Sequence, residues 1–441
     1  MSDSGAVVGT ANDWNSRTKR WLQPFPVLMI IYFGYFSIVY SGFWRYAYWE
    51  LMSLNTNIMG FQPSLDTVAL YVLGAAVLVL GFMLGVALSR RRDRRSGPLA
   101  RMTAGAAPGE GGLRTLLASK ALWFWVGIAG WLIGFAAVVL QWTASGGASL
   151  TDIGTRWYQS PIVVFIAMSQ IFFVPVLVAT ADRPWQRWVT GVLFVLSIVG
   201  LSTLGARNIP AKAIVSTFFA VVYVARPKSL GRMAIALGVV LVIAMGVVGA
   251  FSKSGIYGTA ASGKLVVALT YSDSVGSVYN LDRIVRLTPT LGAYGGGLLR
   301  DSILAGVPRS IFPGAKPDYA NYQIGRYLGG RQTFVIDGQI INRGVSLAAT
   351  LLGPAYADLG LPGAMLQMLL VGLMIGYLQM RARSWLWLVP VLAALGSYVV
   401  NGVNVGLFSP PFLAAIAISL MVIALDLLFG HRVALEPVRS V

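Results

Sequence analysis

The chain has 441 residues, 56% of them hydrophobic and 11% charged, with a mean hydropathy of +0.70. A soluble domain carries about 25% charged residues, and repeated apolar runs of about 20 residues, enough to cross a bilayer, make this an all-α polytopic membrane protein. With no cysteine and one histidine, His431, disulfides, thiolate metal sites, Ser-His-Asp and Cys-His catalysis and most zinc chemistry are excluded, and a net charge of +18 concentrated beside spans fits anionic lipid rather than nucleic acid.

Met1–Gln23 is polar and ends in Arg17, Lys19 and Arg20, so the apolar run after it reads as a retained signal anchor. Ten spans are expected, at 24–44, 67–89, 121–141, 160–180, 189–206, 213–225, 233–251, 361–380, 385–404 and 411–429. The basic segments 90–120, 181–188, 226–232 and 381–384 fall on one side with both termini, while 45–66 and 142–159 hold one arginine each, Arg45 and Arg156. That asymmetry predicts cytoplasmic termini. The linker 90–120, with its Arg90–Arg95 charge block and later Gly-Pro and Gly-Gly steps, has the composition of a disordered segment, a topology determinant or a dock for anionic lipid. No internal repeat of the transporter kind is evident. Three regions follow: a bundle of spans 1–7 over 1–251, an external loop region over 252–345 that holds the active site, and spans 8–10 over 346–441.

The external loop, Ser252–Arg343, holds ten basic and five acidic residues, and cations gathered on that face argue for an anionic ligand. A helix is expected within Ser262–Val285, a break at Gly292–Gly297, a short amphipathic helix over Leu298–Leu304, and a Pro-rich turn from Val307 to Pro317. Asp318–Leu328 is aromatic and polar, with Tyr319, Tyr322 and Tyr327, and Ser346–Leu359 is apolar enough to lie in the interface or re-enter the membrane.

Several side chains are candidates for chemistry. Arg207, at the outer end of the fifth span with Lys212 nearby, lines a cavity and binds phosphate or snorkels to headgroups. Arg309 and Lys316 flank the Pro-rich turn, which would hold them at a fixed separation; with Arg326 and Arg331 they offer forked or point-charge donors to phosphate, and tyrosines such as Tyr322 offer amphipathic faces to a sugar. Asp318 or Asp337 would be the base, or else a turn cap or salt-bridge partner; Glu50 and Asp66 in the first external loop are rivals.

Four stretches carry a resemblance: Leu204–Arg207 at a span end, the large external loop, Pro308–Pro317, and Leu352–Gly363 leading into a span. In that order they resemble the bacterial O-antigen polymerases, or oligosaccharide repeat-unit polymerases. In the third motif Pro354 stands where an acid is common in that family and Asp358 where Asn is common. The resemblance implies a GT-C-like glycosyltransferase, needing no metal or cofactor, that polymerises polyprenyl-pyrophosphate-linked repeat units at the outer face of the bacterial plasma membrane. A chain-length regulator and a flippase are implied partners beside membrane lipid. The alternatives are an O-antigen ligase, a transferase using single polyprenyl-phosphate sugars, and a lipid-linked saccharide flippase or transporter.

Overall fold

Where the chain alternates long apolar runs with short basic breaks, it folds as helix after helix. The computed structural model describes residues 22–40, 63–103, 120–144, 161–202, 208–224, 277–307, 311, 317, 320–328, 331–336, 339–344, 350–382, 388–405 and 409–429. In order these form α1 (Pro24–Tyr40), α2 (Leu65–Thr103), α3 (Lys120–Ala144), α4 (Pro161–Met168), α5 (Gln170–Thr180), α6 (Pro184–Ser202), α7 (Asn208–Val224), α8 (Ser277–Leu291), α9 (Gly297–Gly306), α10 (Ala320–Tyr327), β1 (Arg331–Ile336), β2 (Gln339–Gly344), α11 (Gly353–Arg381), α12 (Leu388–Val405) and α13 (Pro410–Phe429). The helical class expected from the sequence holds, with one antiparallel hairpin added, β1 against β2, in which Ile336 faces Gln339.

Four described helices are long and apolar enough to cross a bilayer: Leu65–Arg91, Lys120–Thr143, Pro184–Ser202 and Gly353–Arg381. Five shorter apolar helices lie at the first, fourth, sixth, ninth and tenth expected spans; the seventh, 233–251, is outside the described residues. Large apolar side chains on the spanning helices, including Leu132, Ile133, Leu140 and Val199, point outward, as a lipid-facing surface requires.

One expectation is overturned. Rather than losing order at the charge block, α2 continues as helix to Thr103; 104–119 lies outside the described residues. Arginine is among the better helix formers, so the charge block does not end a helix already nucleated by two dozen apolar residues, although the Gly97-Pro98 step within it is unfavourable.

The helical pair that organises the bundle is α2 with α11. Gly81 and Gly85 on α2 lie opposite Gly372 and Gly376 on α11, each pair one helical turn apart. A Cβ at any of the four would come within 3.0 Å of a backbone atom across the interface (Leu369 and Leu373 on one side, Leu78 and Phe82 on the other), so only glycine permits this approach. Close small-residue packing of this kind drives helix association where lipid cancels the hydrophobic effect. Around it, α1 meets α2 through a reciprocal pair: Tyr32 Oη donates to the Tyr71 carbonyl and Tyr71 Oη to the Tyr32 carbonyl, both at 3.0 Å, with the rings stacked at 4.0 Å. Trp131 Nε1 on α3 donates to Ser197 Oγ on α6 at 2.6 Å.

Across α11 and α13, Arg381 Nε and one Nη each reach a different oxygen of Asp426 at 2.9 Å, and Tyr377 Oη also donates to that carboxylate. Sequence had placed Arg381 among the cations of a short cytoplasmic loop. It is instead buried, and the carboxylate fork explains how the charge is tolerated.

Candidate functional site

The described part of 252–345 folds into a helical cluster of its own. In α8, Val278, Leu281, Ile284 and Val285 fall on one face and are buried, while Arg286 on the other is exposed. The helix predicted within Ser262–Val285 is described from Ser277 and runs on to Leu291, ending at Gly292, whose φ of 79° suits a residue without Cβ. Helix α9 starts behind Gly296 in the left-handed region, close to the predicted start. Ile284, Leu298, Ile324, Leu328, Ala355 and Ala357 form a small core joining α8, α9, α10 and the first turns of α11.

Two buried aspartates fasten this cluster to the spanning helices. Asp282, 2% exposed, lies on the apolar side of α8 and accepts from Ser64 N and Oγ, both at 2.7 Å, and from Thr67 Oγ1 at 2.8 Å, while its other oxygen meets Arg286 Nε at 2.7 Å. The start of α2 is thereby capped by its own Ser64 and by an acid from a helix more than two hundred residues away. Asp358, fully buried, accepts from Leu298 N at 2.9 Å and Leu299 N at 3.0 Å, one per oxygen. It is the anionic N-cap of α9, supplied from α11, in the position where the helix dipole favours negative charge. The Ala357 and Asp358 carbonyls accept from Tyr294 N and Gly295 N, so the residues before α9 are held as well. Gly360, with φ 68°, breaks α11 directly after this contact, separating a short re-directed helix from the span that follows.

Aromatic and cationic side chains gather on the outer surface. The Tyr294 and Tyr327 rings lie 5.4 Å apart; Tyr294 Oη donates to the Gln323 carbonyl, and Tyr327 Oη to Thr288 Oγ1 and the Gly292 carbonyl. Burial raises the Tyr294 pKa, with Tyr327 and Asp358 adding to the shift and Arg326 opposing it, so Tyr294 stays a neutral phenol. Arg326 is exposed in the last turn of α10, next in the chain to Tyr327. Arg283 donates to the Leu328 carbonyl at 2.6 Å, a cation at the C-terminal end of α10. Among the described residues, the buried Ser277 and Ser302 hydroxyls have no hydrogen-bond partner.

Of the residues singled out from sequence, Arg326 and Tyr322 lie on α10 and Arg331 opens β1 opposite Gly344. Arg207, Arg309, Lys316, Asp318 and Asp337 lie outside the described residues. Asp337 and Gly338 are, by sequence, the dipeptide between β1 and β2, and Asp-Gly between strand-forming residues is a strong hairpin signal. The rival Asp66 is exposed in the first turn of α2, two residues from the Ser64–Asp282 contact. Sequence reasoning passed over Asp282 as a fastening group; its signal was an acid set among the apolar positions of an amphipathic helix, where an unpartnered carboxylate would not persist.

The sequence matches the family described as "Putative O-antigen polymerase" over residues 24–412, which takes in the four long apolar helices and the helical cluster between them. No curated protein and no solved structure matches the chain. The chain therefore belongs to the O-antigen polymerase family, multi-pass membrane proteins of polysaccharide biosynthesis whose glycosyltransferase-type activity polymerises repeat units from a lipid-linked oligosaccharide.

Proposed function

We propose that this chain extends a surface polysaccharide at the outer face of the plasma membrane, moving a growing chain from its polyprenyl pyrophosphate to a hydroxyl of the next lipid-linked unit. Ten spans, cytoplasmic termini and a GT-C-like arrangement belong to this reading. The acceptor oxygen attacks the anomeric carbon, the bond from that carbon to the pyrophosphate oxygen breaks, the lipid pyrophosphate leaves with the electron pair, and an aspartate takes the hydroxyl proton. Arg207, Arg309, Lys316, Arg326 and Arg331 would hold the pyrophosphate, neutralising charge as it develops on the leaving group without a metal ion, and Tyr322 would face a sugar. Asp318 or Asp337 would be the base.

The observation that carries this reading is a helical cluster fastened by Asp282 and Asp358 to helices long enough to cross a membrane, with the exposed Arg326 next in the chain to Tyr327 of the tyrosine pair. Such fastening lowers the ordering cost of binding a charged, lipid-tethered substrate. The test is surface polymer length in Arg207→Ala and Arg309→Ala strains at normal protein level; wild-type chain length in both would defeat the assignment. A second reading, a transferase using its first external loop, is favoured only by the exposed position of Asp66. Loss of activity in Asp66→Asn with silent Asp318→Asn and Asp337→Asn would select it.

A further inference from the structure

Asp282 and Asp358 are taken up in fastening the helical cluster, but its other described carboxylate, Asp301 on α9, ties nothing to a long apolar helix. The start of α9 is already capped by Asp358, so Asp301 is not needed there either. Its Oδ1 accepts from Arg300 Nε and Nη2, both at 3.0 Å, and its Oδ2 accepts from Gln323 Nε2 on α10 at 3.0 Å. A carboxylate oxygen offers about two acceptor sites, so among the described residues Oδ1 is filled and Oδ2 keeps one site open. The Asp301 side chain is 18% exposed and that of Arg300 72%. Adjacent residues on a helix do not face each other, so Arg300 has to fold back to make this fork, and so exposed an ion pair adds little stability. The contact orients the carboxylate more than it stabilises α9.

Gln323 joins that carboxylate to the tyrosine pair. Its carbonyl accepts from Tyr294 Oη at 3.3 Å while its side-chain amide donates to Asp301, and Tyr327 follows one turn later on the same face of α10. Both tyrosines are half-buried. Charge narrows the class of ligand. The carboxylate repels a phosphate, and the guanidinium beside it repels a metal ion. A neutral hydroxyl meets neither objection: it donates to the open site on Oδ2 in a charge-assisted bond, and the ordering cost is small because the acceptor is already held from both sides. Aromatic rings one helical turn away suit the apolar face of a ring that carries such hydroxyls. A sugar has both.

We propose that Asp301, held by Gln323 and Arg300, accepts a hydroxyl of a sugar in the lipid-linked repeat unit, with the sugar ring against the Tyr294–Tyr327 pair. The neutral polyhydroxyl follows from the local charge; its place in a lipid-linked unit rests on the polymerase reading above.

The test uses the full chain in phosphatidylcholine nanodiscs and two probes: the repeat-unit oligosaccharide released from the producing strain's own surface polymer, and farnesyl pyrophosphate, which carries the phosphates without a sugar. Wild type should bind both. Asp301→Asn should bind the oligosaccharide about tenfold or more weakly, as expected for losing a hydrogen bond to a charged acceptor, and farnesyl pyrophosphate as wild type does. Tyr327→Ala should show the same split. Hydrogen exchange of α9 and α10 amides should be unchanged in Asp301→Asn, because the ion pair it removes is exposed. Equal oligosaccharide binding by wild type and Asp301→Asn overturns the proposal, as does no binding by wild type. So does a loss of both probes together, or a loss accompanied by faster exchange in α9 and α10, either of which would make Asp301 structural. Asp301-dependent oligosaccharide binding in a chain whose deletion leaves surface polymer unchanged would sustain the site and defeat the polymerase reading instead.

Discussion

Asp358 separates a scaffold role from a chemical one, because the motif that contains it invites the chemical reading. Its two oxygens accept from Leu298 N at 2.9 Å and Leu299 N at 3.0 Å, and the residue is fully buried. A hydrogen bond to a charged group contributes about 1.5 kcal/mol or more, so Asp358→Ala should release α9 by about 3 kcal/mol, two such bonds lost together. Asp358→Asn keeps one acceptor oxygen but turns its NH₂ toward the other N–H, so about half the loss is expected. Hydrogen exchange of the full chain in nanodiscs reads this directly. Amides of Leu298 and Leu299 should exchange roughly 100-fold faster in Asp358→Ala and roughly 10-fold faster in Asp358→Asn, since 1.4 kcal/mol is a factor of ten. If Asp358→Ala loses polymer while α9 keeps its wild-type protection, the capping role is wrong and the carboxylate acts on substrate.

Two further outcomes test the frame. Gly85→Leu puts a branched side chain where even a Cβ comes within 3.0 Å of the α11 backbone, so the α2–α11 pair should lose about 3 kcal/mol or more, seen as a lower melting temperature in detergent; an unchanged melt would mean that the two helices do not approach as described. Removing one partner of the buried Arg381–Asp426 fork should destabilise by about 3–5 kcal/mol, as in Asp426→Ala, whereas the double change Arg381→Met with Asp426→Leu should recover most of it. A double variant as unstable as the single would assign the loss to packing rather than to charge.

Sequence revealed the elements better than their contacts. Apolar runs between basic breaks located the four long apolar helices because bilayer thickness imposes a length, and Gly292–Gly297 marked the gap between α8 and α9 because positive φ favours glycine. Patterns in separate segments were harder to connect. Gly81/Gly85 and Gly372/Gly376 have the spacing of a close-packing face, yet nothing in either segment names the other as partner. Asp426 lies within the expected span 411–429, but its partner Arg381 read as one more topogenic cation, since charge alone does not tell a buried fork from a loop. Helix α2 outran its compositional boundary because helix propagation tolerates arginine. At the site, Arg326 lay where the aromatic stretch suggested, whereas the capping by Asp282 and Asp358 depends on residues far apart in sequence.

The Leu352–Gly363 motif gains a physical meaning from these contacts. Pro354, standing where an acid is common among the polymerases that the chain resembles, occupies the first turn of α11, where a missing N–H costs nothing and a fixed φ helps start the helix. Ala355 and Ala357 are small enough to pack into the core shared with α8 and α10, Asp358 caps α9, and Gly360 turns the chain into the span. Each residue has a use in holding the external cluster, and none needs to touch a sugar. With Pro354 starting α11, the capping of α9 rests on Asp358 and needs no acid at position 354.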